Sequence, residues 1–520
     1  MARSGSSRER SSVDPRTPVL VGVGQFTERI DDPSYRGMSA VELATAATQA
    51  ALADTGVDVG AVAKSIEVFV GLRQFEICTP FEKPALGCSD NYLRSVAKRV
   101  GADPARAVLE PIGGNGPQKL VTEFAGAIAA GEIEVALILG SENGSTLKTF
   151  ARREDKPDHS ETVGGQLEDR GYGFEQYMSE YTATHGLTGA PVQYGLLDNA
   201  RRARLGISVG DYRREMAELF APFSKVAAKN PFSSSPVERS VDELITVTDE
   251  NRMICDPYPR LMVARDQVNQ GAAALLMSVA AARRLGVADD KWVYVRGHAD
   301  QTEQDLLDRV DVSISISAKQ AVAEALRVAG IGIEDLATFD LYSCFPFPVF
   351  AVCDEFGLAP DDPRDLTLTG GLPYFGGPGN SYSLHGIAET VIEMRDKPGA
   401  FGLVGANGGV MSKYSVGVYS TEPADWVVDR SKALQQDIAA LPKVAVTRNA
   451  EGPGRIETYS VRYDWPVTTG VIIGRLDADD SRFMALTEDE DLVKLMTDGD
   501  PLGAAISVTS DGKKNTASPA

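Results

Sequence analysis

Two short apolar runs, 135–140 (VALILG) and 272–279 (AAALLMSV), constrain this chain more than any other feature. Both read as strands of the buried type. The first closes a series of apolar runs at 19–23 and 65–71 that alternate with helical patterns at 40–55, 91–100 and 119–130. After the second, a similar order returns: a strand at 292–297, a helix at 318–328, a strand at 338–341, a helix at 387–395, and strands at 401–404 and 415–419. Two halves of like order, each closed by an apolar strand, predict a duplicated α/β fold built on sheet and helix layers.

A length of 520 residues exceeds one core and calls for two or three domains. The stretch 148–245 breaks the pattern. It is polar, irregular and helical, with helices expected at 177–185, 192–204 and 209–227, and it reads as an inserted subdomain. The first half is then 17–147 with 246–288, and the second is 289–420. From 421 the character changes again. Strands at 455–463, 469–475 and 482–486, a helix at 488–497 and a strand at 504–509 fit a small OB-type barrel over 421–510. Residues 1–16, rich in Ser and Arg, and 511–520 read as tails.

The formal charge of −21, from 52 basic and 73 acidic residues, repels phosphate backbones and anionic lipid, so neither nucleic acid nor membrane is an expected partner. An anionic ligand would need a local basic patch. Such clusters occur in the insert at Arg201, Arg202 and Arg204, at Arg213 and Arg214, and from Lys225 to Lys229; they are either phosphate ligands or solvated helix faces. Five cysteines without a CxxC pair argue against a disulfide framework and against zinc, and no metal site is expected. No window approaches eighteen apolar residues, and the N-terminal segment lacks an apolar signal core, which places the expected compartment in the cytoplasm.

Four motifs then carry a resemblance. Residues 91–140 hold a helix, a short strand, the turn Gly113-Gly114-Asn115-Gly116, a small-residue helix and the apolar strand. Further on come Asp340-Leu341-Tyr342-Ser343-Cys344-Phe345, then Gly370 to Pro378 (GGLPYFGGP), then Gly405-Ala406-Asn407-Gly408-Gly409. In this order they resemble the nucleophile, His-Asp-Cys-Phe, Gly-His-Pro and Cys-x-Gly motifs of sterol-carrier-type thiolases. Together with the C-terminal addition they resemble the group called thiolase-like protein type 1. The resemblance spans roughly 17–420 and implies the layered α-β-α-β-α thiolase fold. The catalytic positions are changed throughout: Gly113 stands for the nucleophilic cysteine, Tyr342 and Gly377 for histidines, and Ala406 or Asn407 for the second cysteine.

The resemblance therefore implies an acyl-CoA ligand but not covalent acyl transfer, because glycine at 113 offers no nucleophile. Classical acetyl-CoA acetyltransferase activity is expected to be absent. Two readings stay open: non-covalent acyl-CoA chemistry, or a silent acyl-CoA-binding or scaffold subunit for a partner enzyme. The Gly113 and Gly408 amides are the candidate oxyanion-hole donors, or serve only their turns. Asn115, Ser343, Tyr374 and Asn380 are candidate pocket residues. Cys344 and His385 are the remaining candidates for chemistry; Cys88 precedes the turn by a helix, and His159, His185 and His298 carry no signal. No covalent cofactor is expected, only CoA or acyl-CoA. A protein partner through the C-terminal domain is an option, as are a monomer and a homodimer.

Overall fold

Strand Asn269–Ser278 lies antiparallel between Pro18–Thr27 and Val135–Asn143. Val135–Asn143 runs parallel to Val68–Leu72, which runs parallel to Arg106–Glu110. The second half repeats the arrangement. Lys413–Ser420 lies antiparallel between Val293–Thr302 and Phe401–Gly408, and Phe401–Gly408 is parallel to Leu336–Leu341. The halves join where Val19 and Leu20 pair with Tyr294 and Val293, giving a ten-stranded sheet among the described residues. This computed structural model describes residues 13–81, 83–173, 179–463 and 467–520.

Helices Gly116–Ala130 and Tyr382–Asp396 occupy the layer between the halves, where Leu120, Phe124, Leu384 and Ile387 pack with Leu20, Ala274 and Val404. Helices Ala40–Asp54 and Tyr92–Val100 cover the outer face of the first half, and Ile316–Ala329 that of the second. Duplication reaches single residues. A Cβ on Gly22 would stand 2.2 Å from Ala51 O, and one on Gly297 would stand 2.1 Å from Ala325 O. In both halves a glycine in the first strand lets the outer helix backbone touch the sheet.

The expected small barrel is present, closed by five strands. Gly452–Tyr463 pairs with Thr468–Leu476, then follow Arg482–Thr487, Asn515–Pro519 and Ala505–Ser510, which returns to the first. One expectation fails here: 511–520 is not a tail, because Asn515–Pro519 closes the barrel with Asn515 and Ala517 buried. At the other end residues 1–12 lie outside the described residues, while Val13, also expected in a tail, is buried in the first half's outer core. The fully buried Arg482 anchors the barrel. It donates to Leu307 O at 2.7 Å, to Arg309 O at 2.5 Å and to both oxygens of Glu457.

In the insert, helices Ala190–Leu205 and Val209–Ala227 form as expected. The helix expected at 177–185 is described as Glu180–Thr184, and its first two residues lie outside the described residues. The insert also sends Glu168–Asp169 alongside Val108 and Leu109, so the outer edge of the first half's sheet is covered by the chain itself.

Candidate functional site

The motifs follow the C-terminal ends of strands in both halves, and their residues meet in one cleft of about 1150 Å³. Gly113 and Gly114 follow Arg106–Glu110; Tyr342 and Cys344 follow Leu336–Leu341; Asn407 ends Phe401–Gly408; Tyr374, Gly377 and Asn380 come from the loop before helix Tyr382–Asp396. Residues separated by about 300 positions thus share a wall.

The turn itself is built for glycine. Gly113 has φ +150°, and a Cβ there would stand 2.7 Å from Asn115 Oδ1. Its amide donates to Asn380 Oδ1 at 2.8 Å, while Asn380 Nδ2 donates to Arg73 O at 2.7 Å. The expected oxyanion-hole donor is therefore already engaged. Its expected counterpart, Gly408, lies under Asn115, whose Oδ1 would be 2.2 Å from an added Cβ, and it is not on the cleft wall. Asn115 is likewise beneath the wall, with Nδ2 donating to Ser415 Oγ at 3.3 Å. At Gly377, expected to stand for a histidine, a Cβ would lie 3.3 Å from both Arg265 O and Leu372 Cδ2, which is tight.

Tyr342 leans over the turn, its hydroxyl 2.3 Å from where a Gly114 Cβ would be. Burial pushes its phenol well above the usual range, so it stays protonated and able to donate. Asn407 is 1% exposed and donates through Nδ2 to Tyr194 Oη at 2.6 Å. Tyr194 donates its only hydroxyl proton to Gly409 O at 2.9 Å and also accepts from Met411 N–H at 3.4 Å. Sequence reasoning missed Tyr194. It sits on helix Ala190–Leu205 of the insert, 213 residues from Asn407, and nothing in its local spacing marks it. Cys344 lies 3.9 Å from Asn407 Nδ2, and burial pushes its thiol up to about 12, which disfavours a thiolate. Ser343 Oγ accepts from Leu372 N–H at 3.3 Å and so holds the neighbouring loop. The Tyr374 hydroxyl is buried without a partner among the described residues.

Several sequence candidates lie elsewhere. His385 is fully buried, bonded through Nδ1 to Gln25 Oε1 at 2.7 Å and packed edge-on against Phe375. It is absent from the cleft wall, and burial lowers it to about 3. Arg201, Arg202 and Arg204 are not phosphate ligands, because each is committed to a carboxylate. Arg201 pairs with Asp354 and Glu215, Arg202 with Asp500, and Arg204 with Asp354. Lys225 and Lys229 line a different cleft, beside Glu218, Glu238 and Glu389. Burial raises Cys88, with Glu76 and Asp90 adding to it.

The cations at the main cleft are others. Arg252, Arg260 and Arg265 are exposed on its rim. Arg260 N–H donates to Arg252 O at 2.9 Å, and partial burial of the Arg265 guanidinium, with Arg260 near it, lowers Arg265 against the opposing pull of Asp31. Among the described residues the guanidinium contacts of Arg252 and Arg260 go to backbone carbonyls, and none of the three pairs with a carboxylate. No helix among the described residues is long and apolar enough to cross a membrane.

A family model for the thiolase-like protein type 1 additional C-terminal domain matches residues 433–513, which hold four of the barrel's five strands and most of the helix before them. The crystal structure of a monomeric SCP2-thiolase like protein type 1 from Mycobacterium smegmatis is 62% identical to the chain, covering 98% of this chain and 100% of its own, with a TM-score of 0.86. The chain belongs to the SCP2-thiolase-like protein type 1 family. An Ltp2-ChsH2(DUF35) aldolase matches 78% of this chain and 98% of its own at 18% identity and a TM-score of 0.56, a likeness of fold. No curated protein matches the chain. In this thiolase-like protein type 1, Gly113, Tyr342, Gly377 and Asn407, one from each of the four motifs that carry the resemblance, line one cleft.

Proposed function

We propose that this thiolase-like protein type 1 binds CoA thioesters in the cleft and handles the acyl group without a covalent bond to the protein. The observation that carries the reading is the trio Arg252, Arg260 and Arg265. In a chain of charge −21 these three arginines, without carboxylate partners among the described residues, rim the same cleft whose wall holds Gly113, Tyr342 and Asn407. Guanidinium groups suit the CoA phosphates, and a neutral, half-enclosed interior suits pantetheine and an acyl chain. Burial pushes the Cys344 thiol on the wall up to about 12, which disfavours a thiolate, and Gly113 has no side chain, so acyl transfer through an enzyme thioester is not supported.

Calorimetric titration of the full chain with CoA and with acyl-CoAs of several lengths tests this. Binding weakened at least about 10-fold by Arg265→Glu, with a shallower salt dependence, is the expected result. No binding at any chain length sinks the reading.

A second reading, a binding subunit for a partner enzyme, is favoured by Phe75 and Phe81. Phe75 is half exposed at the cleft and Phe81 is 92% exposed nearby in sequence, which is unusual for large apolar side chains. We also infer that the chain is a monomer, as the relative from Mycobacterium smegmatis is described to be, because Glu168–Asp169 covers the sheet edge.

A further inference from the structure

The cleft wall contains an acceptor with nothing to accept from. Asn407 is 1% exposed, lines the cleft, and its Oδ1 is buried without a hydrogen-bond partner among the described residues. The orientation of this carboxamide is fixed by Tyr194. Because the Tyr194 proton goes to Gly409 O, the Asn407 atom facing that hydroxyl at 2.6 Å must be a donor, which is Nδ2. The acceptor is thereby held away from Tyr194. A buried acceptor left without a donor is costly, so its natural complement is a donor on the ligand.

The neighbours narrow the kind of donor. Across the Gly113–Gly114 turn stands the Tyr342 hydroxyl, able to donate; a Cβ on Gly114 would touch both Tyr342 Oη, at 2.3 Å, and Asn407 O, at 2.6 Å. Around them are Tyr194, Cys344 and Phe345, while the cleft's acidic residues, Glu250 and Asp266, are exposed on the rim. Among the described residues an ammonium group would find no carboxylate at this depth, and a ketone or plain thioester has no proton for Asn407 Oδ1. A hydroxyl both donates and accepts.

We propose that the preferred ligand is a hydroxyacyl thioester, its acyl hydroxyl donating to Asn407 Oδ1 and accepting from Tyr342 Oη. The proposal rests on the acyl-CoA reading above and adds the functional group that the acyl portion must carry. Asn407 and Tyr342 are then specificity-determining residues. They occupy positions where a thiolase would keep reactive side chains, and here they recognise an oxygen substituent instead. A second orphan polar atom on the wall among the described residues, Tyr374 Oη, extends the same preference for polar substituents along the cleft.

Competition calorimetry with matched ligands tests it: butyryl-CoA, 3-hydroxybutyryl-CoA and acetoacetyl-CoA, and the same three forms at ten carbons. At one of the two lengths or both, the hydroxy form is expected to bind at least about 10-fold more tightly than the saturated form, since a site built for a hydroxyl rejects the analogue lacking it. Asn407→Leu and, separately, Tyr342→Phe should each shrink that ratio toward one. Equal binding of hydroxy and saturated forms at both lengths overturns the proposal while leaving the acyl-CoA reading intact. A loss of equal size for every ester in Asn407→Leu also overturns it, because the acceptor would then serve the pantetheine amides. If no ester binds, both readings fall. Should Asn407→Leu not fold, Tyr342→Phe alone decides, and an unchanged ratio there counts against the proposal.

Discussion

The Gly113 amide donates to Asn380 Oδ1 at 2.8 Å, and the partner is itself fixed by its bond to Arg73 O. The turn that resembles the nucleophile turn of thiolases is a closed hydrogen-bonded unit with φ +150° at its first glycine.

Restoring a cysteine at that position should therefore fail. In Gly113→Cys the Cβ must enter a backbone region that L-residues rarely adopt, 2.7 Å from Asn115 Oδ1. The expected cost is about 1–3 kcal/mol of stability, read from urea unfolding. Thiol release from acetoacetyl-CoA should stay at background, since no histidine among the described residues lines the cleft and burial pushes the Cys344 thiol on its wall up to about 12. Turnover at a rate typical of enzymes would show that the turn relaxes more readily than its geometry implies.

Much of the fold was legible in the sequence because apolar periodicity and strand order are local signals. The 135–140 and 272–279 runs mark the strands Val135–Asn143 and Asn269–Ser278, which are buried throughout. The turn at Gly113 was legible for the same reason, standing between a strand and a small-residue helix. What escaped depends on distant partners. Arg201 looks like a phosphate ligand until Asp354, 153 residues away, is placed on it. Asn515–Pro519 looks like a tail because a strand that closes a barrel needs only Asn515 and Ala517 inside. Arg252, Arg260 and Arg265 are scattered through an irregular stretch, and only the folded chain brings them to one rim.

This division of the arginines has a measurable consequence. Arg201 is 4% exposed and holds Asp354 and Glu215, with its guanidinium 3.9 Å from the centre of the Phe350 ring. Arg201→Ala should lower the unfolding free energy by about 3 kcal/mol, because it takes the cation from Glu215, leaves Asp354 with Arg204 alone and opens a hole. Where the variant is folded, its CoA titration should match the wild type. Arg265→Glu is expected to behave the opposite way, stable but deficient in CoA binding. Parallel urea unfolding and calorimetry on the two variants separates the roles, and a CoA defect confined to Arg201→Ala would reverse the assignment.

His385 makes the chain sensitive to acid. Burial lowers it from 6.5 to about 3, so below 6.5 the unfolded chain takes up a proton that the native one refuses. Its contribution is intact at neutral pH and is lost progressively as pH falls from 6.5 toward 3, amounting to about 2 kcal/mol by pH 5. His385→Asn keeps a donor for Gln25 Oε1 but cannot titrate. The variant should be less stable than wild type at pH 7.5, because it leaves a cavity, yet lose about 2 kcal/mol less between pH 7.5 and pH 5. Identical pH slopes in urea unfolding would mean that the buried imidazole accepts its proton in the native state.

The covered sheet edge bears on assembly. Glu168–Asp169 pairs with Val108 and Leu109, and Arg106 holds Glu168 through two bonds of 2.8 and 2.9 Å. Behind it Arg170 and Lys119 meet the buried Glu110. An uncovered edge here would expose the backbone of Arg106–Glu110, whose last four residues are buried, and such a strand pairs with whatever strand it meets. Light scattering on the intact chain should therefore give the mass of one copy at micromolar concentration. Replacing 166–171 by a Gly/Ser linker of equal length removes both the strand and the Arg170 ion pairs, and the measured mass should then rise with concentration. A variant that remains a single copy throughout would show that the bulk of the insert, rather than this two-residue strand, keeps the edge from a second chain.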